Sequence, residues 1–231
     1  MPPTPPAGEL RLVEDVPAAF AQLVADEVAA VTAPGARGAR DGRFRMALSG
    51  GDTARACYER LAGVASLDWE VLELFLGDER CVPADDPAAN QRLVRESLLE
   101  PTGGLPHFTP MDCAHPEAYG ALLASQPPLD IVHLGLGPDG HTASLFPDSP
   151  ALTAPPGELV VASEDPSGRN PHPRLTMTFE AIAASRLAVF TVAGSAKHGA
   201  LSRVLGGEDL PAGRVRAGRV LWLCDRSALE G

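Results

Sequence analysis

Asp130-Ile-Val-His-Leu-Gly-Leu136 is a short, almost wholly apolar stretch that runs into a glycine-rich turn. Such a composition is typical of a strand buried on both faces of a parallel sheet. Comparable stretches predict strands at residues 10–13, 44–48, 71–76, 131–136, 159–162, 187–192 and 220–224. Helical periodicity lies between them, at residues 17–33, 54–62, 88–99, 116–124 and 196–205. The alternation predicts a three-layer α/β/α fold with a mainly parallel, Rossmann-like sheet and helices on both faces.

Bulk composition limits the classes of protein and partner. The 231 residues suit one domain, so we expect residues 1–231 to form a single domain with a disordered segment at residues 1–8. The formal net charge of -11 argues against nucleic-acid or anionic membrane partners. No apolar stretch approaches the ~20 residues that span a bilayer. The scattered cysteines predict reduced thiols in a cytoplasmic protein; they are Cys57, Cys81, Cys113 and Cys224.

Ligands of such sheets bind at the carboxyl ends of the strands, so we expect the binding residues in the loops that follow the strands. The first is Ser49-Gly-Gly-Asp-Thr53, which opens a predicted helix. Its glycines allow close backbone approach, and the free amides of a helix N-terminus attract an anion. An ordinary strand-to-helix turn is the alternative. Asp52 must point away if a phosphate binds there.

The second loop is Gly77-Asp-Glu-Arg80. Arg80 offers a guanidinium for a phosphate or a developing oxyanion. Asp78 and Glu79 are suited to hold that guanidinium in place, and Asp86 and Asn90 are expected at the edge of the same cavity. A solvated loop is the alternative interpretation.

The third loop, Gly135-Leu-Gly-Pro-Asp-Gly-His141, matches the spacing of a dinucleotide-binding turn. Prolines break the stretch that follows, which excludes the long helix and second βαβ unit that such a turn requires. The loop instead presents His141 as a general base, with Asp139 two residues away to orient it. A histidine that only bonds its own loop is the alternative. Metal binding with His133 lacks a recognised spacing.

The fourth loop is Gly194-Ser-Ala-Lys197. A lysine in the first turn of a helix is unfavourable for the helix dipole, and a bound anion would relieve that cost. A simple solvated lysine is the alternative. Arg169 and Arg174 are further basic candidates. Together the four loops predict a site for a small phosphorylated molecule that undergoes acid–base chemistry.

These motifs occur in one order that resembles the glucosamine-6-phosphate isomerase/6-phosphogluconolactonase family. The resemblance runs nearly end to end, and its most specific part is Gly135-Leu-Gly-Pro-Asp-Gly-His-Thr-Ala-Ser-Leu-Phe-Pro147. Other matching parts are Ser49-Gly-Gly51, Gly77-Asp-Glu-Arg80, Arg174-Leu-Thr176 and Gly194-Ser-Ala-Lys197. The family usually has Ser-Thr-Pro where this chain has Asp52-Thr53-Ala54, which leaves the details of the first loop open.

The resemblance implies a carboxylic ester hydrolase that converts 6-phospho-D-glucono-1,5-lactone to 6-phospho-D-gluconate, the second step of the oxidative pentose phosphate pathway. It implies no cofactor and no metal. His141 would deprotonate the attacking water and later protonate the leaving ring oxygen, with Asp139 and Arg80 as further catalytic residues. The implied substrate- and phosphate-binding residues are Ser49, Gly50, Gly51, Thr53, Asp78, Asn90, Arg169, Arg174 and Lys197. We expect a monomer or weak homodimer.

Two other functions compete with this one. A glucosamine-6-phosphate deaminase/isomerase shares the Asp-Gly-His turn but carries a glutamate five residues after the histidine, where this chain has Phe146. A non-catalytic sugar-phosphate sensor would usually bring a DNA-binding helix-turn-helix, and the first ~40 residues offer one predicted helix and prolines. Ammonia release from glucosamine 6-phosphate would favour the deaminase.

Overall fold

The computed structural model describes residues 8–32 and 41–231. Residues 1–7 of the predicted disordered segment and Ala33, the last residue of the first predicted helix, lie outside this range. Gly8 is described and lies in a bend before the first strand. The single-domain prediction for the whole chain therefore stays a prediction.

A seven-stranded sheet forms the centre of the described structure, in the order β1-β10-β9-β6-β2-β3-β5. Every pair of neighbours in it is parallel, as predicted. Its strands are β1 (Glu9–Leu12), β2 (Phe44–Leu48), β3 (Leu72–Leu76), β5 (His107–Phe108), β6 (Ile131–Leu134), β9 (Leu187–Val192) and β10 (Arg219–Cys224). β2, β6 and β9 are buried along their whole length, because apolar runs cannot face water on either side of a covered sheet.

Helices follow most strands and complete the predicted α/β architecture. They are α1 (Val16–Thr32), α2 (Asp52–Ala62), α3 (Asn90–Val94), α4 (Pro116–Ser125), α5 (Phe179–Ala183), α6 (His198–Leu205), α7 (Pro211–Arg214) and α8 (Arg226–Glu230). A π-helical turn, Arg95–Leu99, extends α3, so the helix predicted at 88–99 is two segments. Within residues 8–32 and 41–231, no helix is long and apolar enough to span a membrane.

A second, three-stranded antiparallel sheet was not predicted. It has the order β4-β8-β7 and contains β4 (Asp78–Arg80), β7 (Val160–Ser163) and β8 (Arg174–Met177). The strand predicted at residues 159–162 belongs to this sheet rather than to the main one. β4 was interpreted as a charged loop, but pairing with β8 satisfies its backbone and draws its side chains inward. Both sheets end at the same cleft.

The prediction that all four cysteines are reduced thiols is wrong for one pair. Cys81 and Cys113 form a disulfide, while Cys57 and Cys224 are free and buried. The bond joins the residue after β4 to the segment before α4, across 32 residues of sequence. No local spacing signals this pair, because the fold and not the sequence brings the two residues together. The disulfide weakens the argument that cysteine usage offered for a cytoplasmic protein.

Candidate active site

The loop after β6 holds His141 in one position. The Gly137 amide donates to the His141 carbonyl at 2.8 Å, and the Gly140 amide donates to the Gly137 carbonyl at 3.0 Å. A Cβ atom on Gly137 would lie 2.1 Å from His141 Nδ1, so only glycine leaves room for the imidazole. The glycines that resembled a nucleotide-binding turn therefore serve to fold this loop beneath the ring.

His141 and Asp139 form a close pair. Asp139 Oδ1 lies 2.6 Å from His141 Nδ1 and also accepts the His141 backbone amide at 3.1 Å. Burial raises the pKa of Asp139, but the hydrogen bonds and charge of His141 outweigh it and leave that pKa below its usual value. The ionised carboxylate accepts a hydrogen bond from Nδ1–H, which leaves the lone pair of the neutral ring on Nε2. Nε2 has no hydrogen-bond partner among the described residues.

Phe146 supports the same ring from the side. Its centroid lies 4.7 Å from that of His141, and the Arg174 guanidinium lies 5.8 Å from the Phe146 centroid. Phe146 is 1% exposed. The Phe146 ring thus links His141 to Arg174 of the small sheet.

The 49–53 loop connects the end of β2 to the first turn of α2. Gly51 precedes the helix with φ 95°, a conformation that glycine adopts without strain. No side chain caps this helix end within the described structure, so its first amides remain available to an anion. Asp52 is exposed, yet it lies at the rim of the cleft together with Thr53. The requirement that Asp52 turn away from a phosphate is therefore met only in part.

Lys197 approaches the 49–53 loop from the fourth predicted loop. Its Nζ donates to the Leu136 carbonyl at 2.7 Å, directly before the His141 loop. Burial lowers the pKa of Lys197, and the nearby Asp52 carboxylate opposes that shift. The ammonium group is therefore partly buried in a cleft that the 49–53 loop also lines, which suits an anionic ligand.

β4 contributes Arg80 to the cleft. Its Nη1 donates to the Ala88 carbonyl at 2.6 Å, while its buried Nε has no partner among the described residues. The adjoining Glu79 is 1% exposed, and its carboxylate accepts the amides of Arg80, Asn90 and Gln91 at 2.6–2.8 Å. Glu79 thus caps the N-terminus of α3. The same carboxylate holds the backbone of Arg80, which helps to fix the position of its guanidinium.

Asp78 and Arg174 meet beneath the cleft. Asp78 accepts the Ser144 hydroxyl at 2.6 Å and lies 4.0 Å from Arg174 Nη1. Burial lowers the pKa of Arg174, and the Asp78 carboxylate opposes that effect. Asn90 donates to the Asp78 carbonyl at 2.8 Å. Its Oδ1 would lie 1.8 Å from a Cβ on Gly50, so Gly50 allows the two segments to touch.

The structure brings nearly all of the predicted site residues to one cleft. Its lining includes Ser49, Gly50, Gly51, Thr53, Asp78, Arg80, Asn90, His141, Arg174 and Lys197. Asp139 lies behind His141 and contacts it directly. Arg169 is exposed and lines a neighbouring groove, so of the two arginines left open it is Arg174 that faces the cleft. Asp86 caps Ala88 and is not among the cleft residues.

Further residues of the cleft were not predicted from the sequence, among them Asn170, Thr191 and Ala143. Asn170 is oriented by Asp165, whose carboxylate accepts the Asn170 side-chain amide at 2.8 Å. Ala143 has φ 47°, an unusual value for a residue with a side chain. An Asp-x-x-x-x-Asn turn was the available signal for Asn170, but nothing local indicates that it reaches the cleft. No cluster of three or more metal-ligating side chains occurs in the described parts of the chain.

Comparison with known proteins places this geometry in a family. A model of the family described as glucosamine-6-phosphate isomerases/6-phosphogluconolactonase matches residues 15–222. The chain belongs to this family. It is 39% identical to a 6-phosphogluconolactonase of Synechocystis sp. over 213 residues, covering 83% of this chain and 86% of that protein. The crystal structure of 6-phosphogluconolactonase from Thermotoga maritima superposes with a TM-score of 0.80 at 29% identity, covering 94% and 99%.

The same fold also serves a different reaction. A monomeric glucosamine-6-phosphate deaminase superposes with a TM-score of 0.76 at 19% identity, covering 95% of this chain and 98% of that one. At that identity the likeness concerns the fold alone. Family membership and the three-layer fold are therefore established, and the choice between the two activities depends on the residues of the cleft.

Proposed function

We propose that the chain hydrolyses 6-phospho-D-glucono-1,5-lactone to 6-phospho-D-gluconate, the second step of the oxidative pentose phosphate pathway. The observation that carries the proposal is His141, whose Nδ1 is held by Asp139 at 2.6 Å while Nε2 is left without a protein partner at a cleft that also contains Lys197. A free imidazole nitrogen and a phosphate-binding end in one cleft suit a phosphorylated ester better than a free sugar.

The phosphate end is formed by Lys197 and the amides of the 49–53 loop. A dianionic phosphate accepts hydrogen bonds from such amides and gains from the nearby ammonium group. Arg80 also lines the cleft, with its buried Nε unpaired in the described structure. These local cations are needed because the net charge of -11 repels an anionic substrate at long range.

The chemical step uses His141 twice. Nε2 accepts a proton from water as the water oxygen attacks the lactone carbonyl carbon, and Asp139 stabilises the resulting imidazolium. The tetrahedral intermediate then collapses, the bond from C1 to the ring oxygen breaks, and Nε2 returns the proton to that oxygen. Arg174 lies on the Phe146 side of His141 and is suited to stabilise the oxyanion. The product carboxylic acid then loses its proton to solvent.

The test is a coupled assay on freshly generated lactone, with 6-phosphogluconate dehydrogenase and NADP reporting product. Wild-type protein should raise the rate well above spontaneous hydrolysis, and His141→Ala should return it nearly to that rate. A wild-type rate equal to the spontaneous one would exclude the lactonase. Ammonia release from glucosamine 6-phosphate by the same preparation would favour the deaminase, which the family also contains.

A further inference from the structure

A buried chain of hydrogen bonds lies beneath the 49–53 loop. The Ser49 amide donates to the Tyr58 phenol oxygen at 2.7 Å. The same oxygen lies 2.8 Å from His133 Nδ1, and His133 Nε2 lies 2.8 Å from the Thr191 hydroxyl. The chain therefore connects the first residue of the loop, through the interior of the sheet, to a second cleft residue on β9.

The two central members of this chain are fully enclosed. Tyr58 and His133 are 0% exposed, and the Phe20 ring packs on His133 at a centroid distance of 4.2 Å. Burial lowers the pKa of His133 to about 3, so the imidazole is neutral at physiological pH. A neutral imidazole has one donor and one acceptor nitrogen. Tyr58 can donate either to His133 or to the Ser49 carbonyl at 3.0 Å, and each direction satisfies the chain.

The position of Ser49 depends on this chain. Ser49 is 7% exposed, so its amide has no access to bulk water if the phenol oxygen is lost. The next residues, Gly50 and Gly51, have no side chains that could anchor them. The buried phenol is thus a fixed point that holds the first residue of a loop lining the cleft.

We propose that Tyr58 and His133 are positioning residues that hold the 49–53 loop in its phosphate-binding conformation through Ser49. The proposal rests on the proposed function, because it takes that loop as the phosphate site. Neither residue touches the reacting atoms. Their loss should therefore weaken binding of the phosphate and leave the chemical step at His141 unaffected.

Tyr58→Phe tests the proposal with a single-atom change. It should raise KM for the lactone about tenfold, the effect of losing the one hydrogen bond that holds the Ser49 amide, and change kcat less than about twofold. Tyr119→Phe is the matched control, because the Tyr119 phenol is also buried and accepts the Leu76 amide at 2.7 Å, on β3. The control should lose similar thermal stability while its KM stays within about twofold of wild type.

Two direct measurements separate this proposal from the proposed function. Calorimetric binding of 6-phosphogluconate needs no turnover, and amide hydrogen exchange at Ser49 reports the loop itself. Tyr58→Phe should weaken product binding about tenfold and speed exchange at Ser49, which Tyr119→Phe should not. Unchanged KM, product affinity and Ser49 exchange in Tyr58→Phe would overturn the proposal. A wild-type protein that binds product without hydrolysing lactone would overturn only the lactonase.

A second pair of variants covers the case in which Tyr58→Phe does not fold. His133→Leu removes both ring nitrogens, whereas His133→Gln keeps one donor and one acceptor on a side chain of similar reach. His133→Leu should raise KM with kcat preserved, and His133→Gln should recover part of that loss. Equal KM values for both variants and wild type would contradict the positioning role.

Discussion

His133 lies in β6 and His141 lies in the loop that follows it, yet the two imidazoles differ in exposure and in the number of their hydrogen-bond partners. His133 lies within β6, is 0% exposed and has both nitrogens within 2.8 Å of a hydroxyl group. The His141 side chain is 19% exposed, and its one side-chain hydrogen bond within the described residues is to Asp139. Each ring also packs against one phenylalanine, Phe20 or Phe146. Residue type therefore does not distinguish a base from a structural group, but the number of partnered nitrogens does.

The largest difference should appear on removing each imidazole. His141→Ala should lower kcat by about 10²- to 10⁴-fold with little change in KM, because only the proton transfer is lost. His133→Leu should preserve kcat and raise KM. Steady-state kinetics on both variants gives the two parameters. If His133→Leu lowered kcat as strongly as His141→Ala, the distinction between the two histidines would fail.

The carboxylate partner of His141 should have the next largest effect. Asp139→Asn removes the charge that stabilises the imidazolium and should lower kcat about tenfold to a hundredfold, with KM nearly constant. Asp112→Asn is a matched control, since Asp112 lies 2.8 Å from Nδ1 of the exposed His115. Kinetics of the two variants at one pH compares them directly. A normal kcat in Asp139→Asn would remove Asp139 from the mechanism.

The sequence alone predicts those features of the molecule that a local stretch of residues encodes. The parallel strands are continuous apolar runs, such as residues 187–192, and their periodicity is local. His141 and Lys197 were also predictable, because parallel strands bring their following loops to one edge. Asp78-Glu-Arg80, by contrast, has the composition of a solvated loop, and only backbone amides from α3 explain why Glu79 is buried.

Contacts between segments that are distant in sequence could not be predicted, because no local pattern encodes them. The bond from Cys81 to Cys113, the reach of Asn170 into the cleft and the chain from Tyr58 to Thr191 all join segments that meet only after folding. His133 illustrates the limit most clearly. Its sequence position within an apolar strand predicted burial but gave no indication of its two hydroxyl partners.

Stability against pH should report the burial of His133. Its pKa falls from 6.5 to about 3 on folding, so below pH 6.5 the unfolded chain binds a proton that the folded chain does not. Stability must therefore decline as pH falls toward 3, by about 2 kcal/mol between pH 7.5 and 5. Urea unfolding of wild type and His133→Leu at both pH values measures this. The wild type should lose about 2 kcal/mol more than the variant over that interval.

Other groups titrate in the same range, but they are shared by both proteins. His115 is the clearest case, because its hydrogen bond with Asp112 raises its pKa and so gives stability that is lost as pH increases. This contribution has the opposite sign to that of His133 and cancels in the difference between wild type and variant. Identical pH dependence in the two proteins would show that His133 is protonated in the folded state, against the enclosed network described above.

The phenylalanines beside the two rings offer the smallest and most selective comparison. Phe146→Leu and Phe20→Leu each remove part of a buried ring and should each cost about 1–2 kcal/mol of stability. Only Phe146→Leu should also lower kcat, by about threefold, because it loosens the ring whose Nε2 must face the attacking water. Chemical denaturation and kcat measured on the same preparations separate the two effects. If Phe20→Leu lowered kcat as much as Phe146→Leu, kcat would simply follow global stability. The contact between the Phe146 and His141 rings, whose centroids are 4.7 Å apart, would then have no catalytic importance of its own.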